Sequence, residues 1–281
     1  MRPEKRTNSA PVITSVTIVP KDPNRESNLE LLVQSRDPDG ECVAYRLRWL
    51  KNDEEIPGEE KTILKSGNFG RGDLIRVKIS PSDGRMNGDP VLSEAVTILN
   101  APPAIEEISI EPKVAHRTDD LKVKVKASDP DGDSISFSYR WEKNGEALEN
   151  DNPEVGGQGR FKKGDRIALT VTPSDGDTHG PSRTSGTIIS NSPPVIISSP
   201  PASIQGNDYR YQVKAHDPDN DPIVFALKSG PKGMEIEKET GLIRWGVQNE
   251  NKGSHLIEIE VSDNEGAKGM QKYELLVGIT P

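Results

Sequence analysis

The sequence predicts an all-β chain made of three similar β-sandwich domains in an elongated tandem array. Three observations support this prediction. Apolar and polar residues alternate in many short runs, which is typical of half-buried strands. An acidic turn recurs three times, and the first two copies of its surroundings match at a constant offset of 92 residues. Self-similarity at a fixed period is the signature of a repeat array.

The acidic turn is clearest at 129–133, where Asp-Pro-Asp-Gly-Asp separates two alternating runs, 121–127 and 135–141. Proline fixes φ and glycine accepts positive φ, so this sequence favours a tight turn between two strands. Related turns occur at 37–41 and 217–221. Three copies of one turn therefore indicate three copies of one domain.

Each repeat opens with a proline-containing segment that follows an asparagine, at Asn8, Asn100 and Asn191. Proline and the residue before it favour extended backbone, which suits the start of a first strand. The openings contain no glycine- or serine-rich spacer, so we expect short and stiff joints. They predict domains at 9–100, 101–191 and 192–281.

Within the second repeat, the alternation predicts five main strands and one or two short strands in 144–163. The first repeat follows the same map, whereas the third replaces the tryptophan-bearing strand with a hairpin around Thr240-Gly241. No segment predicts a helix. The main strands are expected near 105–112, 120–128, 134–143, 166–174 and 183–190, and in the third repeat near 209–216, 222–228, 242–247, 255–262 and 270–278.

Composition narrows the class of protein. The 281 residues carry a formal net charge of −9, which argues against a nucleic-acid partner. Cys42 is the only cysteine, so an intrachain disulfide is impossible. No apolar run is long enough to span a membrane, and no signal peptide is visible near the start. We expect a prokaryotic exported protein in a mature or fragment form, or a cytosolic one.

Two sets of motifs resemble known families. Residues 139–145 and 161–165, before Thr-Pro-Ser-Asp-Gly at 172–176, resemble tandem Ig-like repeats of bacterial and archaeal surface proteins. The turn at 217–221 and the hairpin at 239–243, with 261–266, resemble the cadherin-like Ig repeats of the same proteins. The resemblance implies immunoglobulin-like sandwiches, but such modules serve many functions.

Acidic residues give the best candidate site. A spacing of 46 residues separates Asp37 from Asp83, Asp129 from Asp175, and Asp217 from Asp263. In an Ig-like sandwich the loops that follow these strands lie at one end, so each domain would gather carboxylates that suit Ca²⁺. The alternative is that the aspartates only shape turns. Both interpretations remain open, and the second repeat is the favoured metal site. The candidate ligands are Asp37, Asp39, Asp83, Asp129, Asp131, Asp133, Asp175, Asp217, Asp219, Asp221 and Asp263.

Other conspicuous residues have structural explanations. Trp49 and Trp141 are expected in the domain cores, with Trp245 either in a core or on the surface. The tripeptide Arg71-Gly72-Asp73 spells an integrin-binding motif, but a turn before a strand explains it. Lys122, Lys124 and Lys126 line one strand face, where they would deter edge pairing, with anion binding as the alternative. No metal-binding histidine spacing or nucleophile motif suggests an enzyme.

These patterns predict a non-enzymatic spacer or interaction and adhesion module of an exported protein, periplasmic or on the cell surface. The expected partner is another protein of the cell envelope or surface, without direct insertion into the membrane. The alternative is a carbohydrate-binding accessory module with a glycan partner. Exposed aromatic residues would favour that alternative, and the chain has only three tryptophans and five tyrosines.

Overall fold

A computed structural model describes residues 7–157, 159–201, 204, 207–248 and 252–278. The described residues form strands, turns and irregular segments, and they contain no helix. Accordingly, no helix suited to crossing a membrane is found in the described part of the chain. The predicted all-β class is confirmed.

The chain forms two compact units. The first unit contains residues 1–107, 125–138 and 171–183, and the second contains 108–124, 139–170 and 184–281. The segment around Asn100 therefore lies inside the first unit, and the segment around Asn191 lies inside the second. The names first, second and third repeat refer to residues 9–100, 101–191 and 192–281 of the sequence.

The first repeat has its core between a three-stranded sheet, ordered β1-β2-β5, and a five-stranded sheet, ordered β4-β3-β6-β7 with β8 also on β6. Alternate residues of β6 are buried, as the period of two requires. Trp49 is fully buried and its indole N–H donates to the carbonyl of Lys61 at 2.8 Å. The strands are β1 Val12–Val19, β2 Leu29–Arg36, β3 Ala44–Lys51, β4 Glu54–Glu55, β5 Ile63–Leu64, β6 Leu74–Ser82, β7 Val91–Leu92 and β8 Val96–Thr97.

The second repeat has the same strand map. Its sheets are ordered β13-β10-β9 and β12-β11-β14-β15. Trp141 is fully buried and donates to the carbonyl of Asn152 at 2.9 Å, which parallels Trp49. The strands are β9 Ala104–Glu111, β10 Leu121–Ser128, β11 Ser136–Lys143, β12 Glu146–Ala147, β13 Glu154–Val155, β14 Arg166–Ser174 and β15 Arg183–Ile188.

The third repeat has sheets ordered β17-β21-β20 and β19-β22-β23, with a short pair of β16 and β18. Trp245 is 2% exposed in the core cluster and meets the His255 ring edge-on at 5.3 Å, so it belongs to the core. The strands are β16 Val195–Ile196, β17 Asp208–Gln212, β18 Ala215–His216, β19 Ile223–Ser229, β20 Glu235–Ile236, β21 Leu242–Gly246, β22 Gly253–Asp263 and β23 Lys268–Val277.

Two details differ from the sequence-based expectations. The last strand of the first repeat is broken into β7 and β8, because the buried Ser93 hydroxyl accepts from the Val77 N–H at 3.0 Å. Lys122 of β10 does not lie at an edge, because the strand there is flanked by both β13 and β9; the pairing with β13 includes only Leu121 and Lys122. All three lysines pair with glutamates: Lys122 with Glu154, Lys124 with Glu111 and Lys126 with Glu106.

Candidate functional site

The acidic turn has the same hydrogen bonds in all three repeats. In the third repeat, Asp217 Oδ1 accepts from the N–H of Asp219 at 2.8 Å and from that of Asp221 at 3.2 Å. The same pair of bonds, at the same distances, forms around Asp37 and around Asp129. One carboxylate oxygen therefore holds the turn, as the structural interpretation requires.

The second aspartate of each repeat organises the later hairpin. Asp263 Oδ1 accepts from the N–H groups of Glu265 and Ala267, while its Oδ2 accepts from Asn191 Nδ2 at 2.6 Å. The matching side-chain bonds join Asn8 to Asp83 at 2.8 Å and Asn100 to Asp175 at 2.7 Å.

The opening segment completes the arrangement. The N–H of Ser192 donates to Asp219 Oδ2 at 2.7 Å, so the opening bonds both to the turn and to the hairpin. Equivalent bonds run from Ser9 to Asp39 at 2.7 Å and from Ala101 to Asp131 at 2.8 Å. The predicted meeting of the two acidic loops at one end is thus observed three times. We call these residues the acidic end of a repeat: the acidic turn, the hairpin aspartate and the opening asparagine.

A carboxylate held this way stays ionised to low pH. The N–H of Thr178 and the side chain of Asn100 hold the pKa of Asp175 well below its usual value. Burial alone would raise the pKa of Asp263, but the hydrogen bonds from Asn191 and from the backbone have the larger effect. The pKa of Asp263 is therefore lowered. The carboxylates of Asp175 and Asp263 are therefore ionised at neutral pH.

Several buried oxygens of the acidic ends have no hydrogen-bond partner within the described residues. They include the Oδ2 atoms of Asp37, Asp129 and Asp217 and the Oδ1 atoms of Asp131 and Asp219. Asp217 is 6% exposed and Asp37 is 9% exposed. Because a buried unpaired carboxylate oxygen is costly, each of these atoms calls for a cation or water.

The third acidic end comes nearest to a metal centre. One carboxylate oxygen from each of Asp217, Asp219 and Asp221 lies within 4.8 Å of the others. The side chain of Asp219 is only 2% exposed. Hard oxygen ligands at this separation suit Ca²⁺. The sequence analysis favoured the second repeat as the metal site, whereas the geometry gathers three carboxylates in the third.

Basic side chains from the preceding repeat reach two of the acidic ends. Arg71 bonds to Asp133 at 2.8 Å and also to Asp177. The bond with Asp177 contributes most to raising the pKa of Arg71. The contact occupies the arginine of the Arg-Gly-Asp tripeptide, which therefore serves this interface within the first unit.

Lys163 makes the matching contacts in the second unit. Its ammonium group donates to Asp221 at 2.5 Å, to Glu265 at 2.6 Å and to Asn191 Oδ1 at 3.1 Å. These bonds, with Asp221 first, raise the pKa of Lys163. The offset of 92 residues carries Arg71 onto Lys163.

A second basic residue adds a hydrogen bond to each of these contacts. Arg25 donates to the carbonyl of Pro130 at 2.6 Å, and Arg117 donates to that of Pro218. Arg25 and Arg117 are again 92 residues apart. The sequence analysis assigned none of these four basic residues to the acidic ends. The repeat alignment contained a signal, because positive charge is present at both pairs of equivalent positions.

The first acidic end is closed differently. Arg85 occupies the position that corresponds to Asp177, and it pairs with Glu41 at 3.2 Å. A cation of the first repeat itself thus stands where the other two ends receive one from the preceding repeat.

Asp73 and Asp165 occupy equivalent positions, 92 residues apart, and each directly precedes a long strand, where it fixes the local backbone. Asp165 accepts from Asn144 Nδ2 and from the N–H of Lys162, both at 2.8 Å. Asn144 has φ of 55°, in the left-handed region that asparagine tolerates. Asp73 makes the same bonds with Asn52 and Gly70, so the aspartate of the Arg-Gly-Asp tripeptide is also explained.

Asp165→Ala is expected to cost about 1–2 kcal/mol of stability at pH 7, because two donors lose a charged acceptor. Burial alone would raise the pKa of Asp165, but the hydrogen bonds from Asn144 and Lys162 lower it by more. The pKa in the folded state therefore lies below that in the unfolded state. The contribution is therefore present above about pH 4 and is lost as the pH falls through the folded pKa. Denaturant unfolding between pH 7 and pH 2 measures it. A gap between wild type and variant that does not narrow in acid would contradict this account.

Comparisons with known proteins agree with the sequence motifs. The family model described as "Putative Ig domain" matches residues 193–278, which are nearly all of the third repeat. The match confirms the Ig-like resemblance for that repeat. No curated protein matches the chain.

Solved structures of tandem β domains are similar to the chain at low identity. The three N-terminal domains of the Hoc outer capsid protein of bacteriophage RB49 are 13% identical, with 97% of this chain and 100% of that chain covered and a TM-score of 0.33. The eight N-terminal Ig domains of Down Syndrome Cell Adhesion Molecule are 14% identical, with 97% and 37% covered and a TM-score of 0.45. Insect hemolin is 14% identical, with 97% and 72% covered and a TM-score of 0.37. TM-scores below 0.5 say nothing about what this chain binds.

Proposed function

We propose that the chain is a non-enzymatic interaction and spacer module of an exported protein, with cations bound where one repeat meets the next. The observation that supports the proposal most is the repeated contact of Arg71 and Lys163 with the following acidic end. Two equivalent contacts at two equivalent places indicate a joint that holds its geometry, which a spacer or an adhesion module needs.

The joints combine several kinds of contact. At the joint near Asn191, the Lys163 ammonium group donates to Asn191 Oδ1, and Asn191 Nδ2 donates to Asp263. Lys163 is about a quarter exposed and Asp221 less, so this ion pair is partly shielded from solvent. Exposed ion pairs contribute little by themselves, whereas a network with fixed geometry contributes more. The proposed role of the network is to limit bending between repeats.

Ca²⁺ is the proposed second cation. Asp217, Asp219 and Asp221 would supply its carboxylate ligands in the third acidic end. Among the described residues, Asp217 Oδ2 accepts no hydrogen bond there, and Asp219 Oδ1 faces only the guanidinium of Arg117, 3.9 Å away. When bound, the ion would neutralise the carboxylates that the turn brings together. Lys163, from the preceding repeat, would still pair with Asp221 and Glu265. The metal and the lysine would thus neutralise different carboxylate oxygens of the same acidic end.

The expected partner is another protein of the cell envelope or surface, reached through loops outside the joints. A carbohydrate-binding accessory module remains the second candidate, and one observation favours it: a basic groove on the first repeat, described below.

Addition of Ca²⁺ is expected to raise the melting temperature by several degrees, because a ligand at a hundredfold excess over Kd stabilises by about 2.7 kcal/mol. Differential scanning calorimetry in millimolar Ca²⁺ and in chelator measures the shift. In Asp217→Asn the remaining carbonyl oxygen still accepts the N–H bonds of the turn, while the unpartnered oxygen becomes an amide nitrogen. This variant should lose most of the shift.

Asp208→Asn is the matched control, because it removes the same charge from the third repeat at an exposed pair with Arg210. It should keep the full Ca²⁺ response. Coincident melts of the wild type with and without Ca²⁺, together with no heat on titration, would remove the metal from the proposal. Turnover of a substrate by the purified chain would contradict the non-enzymatic role itself.

A further inference from the structure

We propose that the outer face of the β3–β6 sheet in the first repeat binds an anionic polysaccharide. A groove of about 640 Å³ crosses this face. Its lining combines Tyr45 and Pro90 with three basic side chains and several hydroxyl and amide groups: Arg46, Arg48, Lys78, Ser80, Ser82 and Asn87.

The strand period places these side chains on one surface. On β3, Leu47 and Trp49 are buried, so Arg46 and Arg48, which alternate with them, point outward. On β6, Ile75, Val77 and Ile79 are fully buried, which turns Lys78 and its neighbours at every second position to the same outer face. The core that fixes the two strands therefore also fixes the groove.

The groove concentrates positive charge in an acidic chain. Arg48 stands directly opposite Lys78 in the antiparallel register, and Arg46 stands opposite Ser80, diagonal to Lys78. Like charges directly opposite each other destabilise a sheet. Glu55 pairs with Arg48 at 3.2 Å, and no ion pair of Arg46 or Lys78 occurs among the described residues. An anion in the groove would relieve this repulsion.

The second repeat shows that the fold does not require this charge. At the offset of 92 residues, Ser138 replaces Arg46 and Thr170 replaces Lys78. The hydroxyl of Thr170 bonds to that of Thr184 on the neighbouring strand at 2.9 Å. Arg140 keeps the charge of Arg48, so the two repeats differ at two of the three positions that make the groove basic. This difference points to a ligand of the first repeat alone.

A sugar chain fits the groove better than an acidic peptide does. β6 lies inside the sheet, whereas β3 pairs with β4 only at Leu50 and Lys51. A peptide strand would therefore add along the edge of β3, in the plane of the sheet, and not across the face where the basic side chains lie. Arginine binds carboxylate or sulfate groups with two parallel bonds, and the serine and asparagine side chains suit sugar hydroxyls. The chemistry therefore favours a polyhydroxylated anion.

The test is a calorimetric titration of the whole chain with a long oligogalacturonate, carried out in chelator so that Ca²⁺ cannot bridge the sugar to the acidic ends. The Arg46→Ser, Lys78→Thr double variant adopts the residues of the second repeat and should fold normally. We expect saturable binding that weakens at least about tenfold in this variant and that falls with added salt. Arg140→Ser, on the matching face of the second repeat, should leave binding unchanged.

A neutral maltooligosaccharide and poly-L-glutamate complete the experiment. No saturable binding of oligogalacturonate would overturn the proposal, as would equal binding of the neutral sugar. Tighter binding of poly-L-glutamate, lost in the double variant, would assign the groove to an acidic protein instead. These outcomes are independent of the Ca²⁺ melts, so either proposal stands or falls alone.

Discussion

Trp141→Ala is expected to lower the free energy of unfolding of the second repeat by about 3–5 kcal/mol. The indole is fully buried, so its removal leaves a cavity that the surrounding strands fill only in part. The variant also removes the donor to the carbonyl of Asn152, at 2.9 Å. Loss of packing and loss of the hydrogen bond act in the same direction.

Hydrogen exchange read by mass spectrometry on separate peptides locates the effect. The strands β11 and β14 should exchange faster in the variant, while the strands around Trp49 and Trp245 should change little. Trp141→Phe is the matched control: it keeps most of the buried ring and loses the N–H donor, so it should cost less than Trp141→Ala. A Trp141→Ala chain that unfolds like the wild type would show that the residue is not part of a core.

Much of the fold could be predicted from the sequence because sheet patterns are local. The period of two located β10 and β14 to within a residue. The broken strand at Ser93 could not be predicted. It depends on a hydroxyl that replaces one ladder bond to Val77, and a serine in a strand pattern carries no sign of that choice.

The interpretation of Lys122 in β10 was wrong for a different reason. Alternating lysines predict an exposed face, and the face is exposed, but the pattern does not say whether the strand lies at an edge. Sheet order depends on contacts between distant segments, such as the pairing of Lys122 with Glu154. That information lies in the tertiary fold.

The candidate site was predicted in part. The spacing of 46 residues correctly brought each turn and its hairpin aspartate to one end, because both follow strands of the same sandwich. Which acids converge depends on the rotation of single side chains, and it distinguishes Asp217, Asp219 and Asp221 from their counterparts. The basic residues that reach the acidic ends come from another repeat, and within-repeat spacing cannot show them.

Gly180→Ala is expected to lower the free energy of unfolding by about 3 kcal/mol, because there is no space for the alanine methyl group. A Cβ at Gly180 would lie 1.7 Å from the carbonyl oxygen of Pro103, a backbone atom that cannot move without shifting the opening segment. The N–H of Gly180 also donates to the carbonyl of Pro173 at 2.9 Å, which fixes the hairpin from the other side. The strain therefore falls on the joint near Asn100.

The same close approach occurs in the other repeats. Gly88 would place a Cβ 1.9 Å from the carbonyl oxygen of Pro11, and Gly269 would place one 2.2 Å from that of Pro194. Gly246→Ala is the control, since a Cβ there meets nothing within 4 Å. It should be neutral or slightly stabilising, because alanine restricts the unfolded chain. Chemical denaturation compares the four variants. Equal stability of Gly180→Ala and Gly246→Ala would mean that the hairpin and the opening segment do not pack together as described, and the acidic ends would then lose the contact that aligns them.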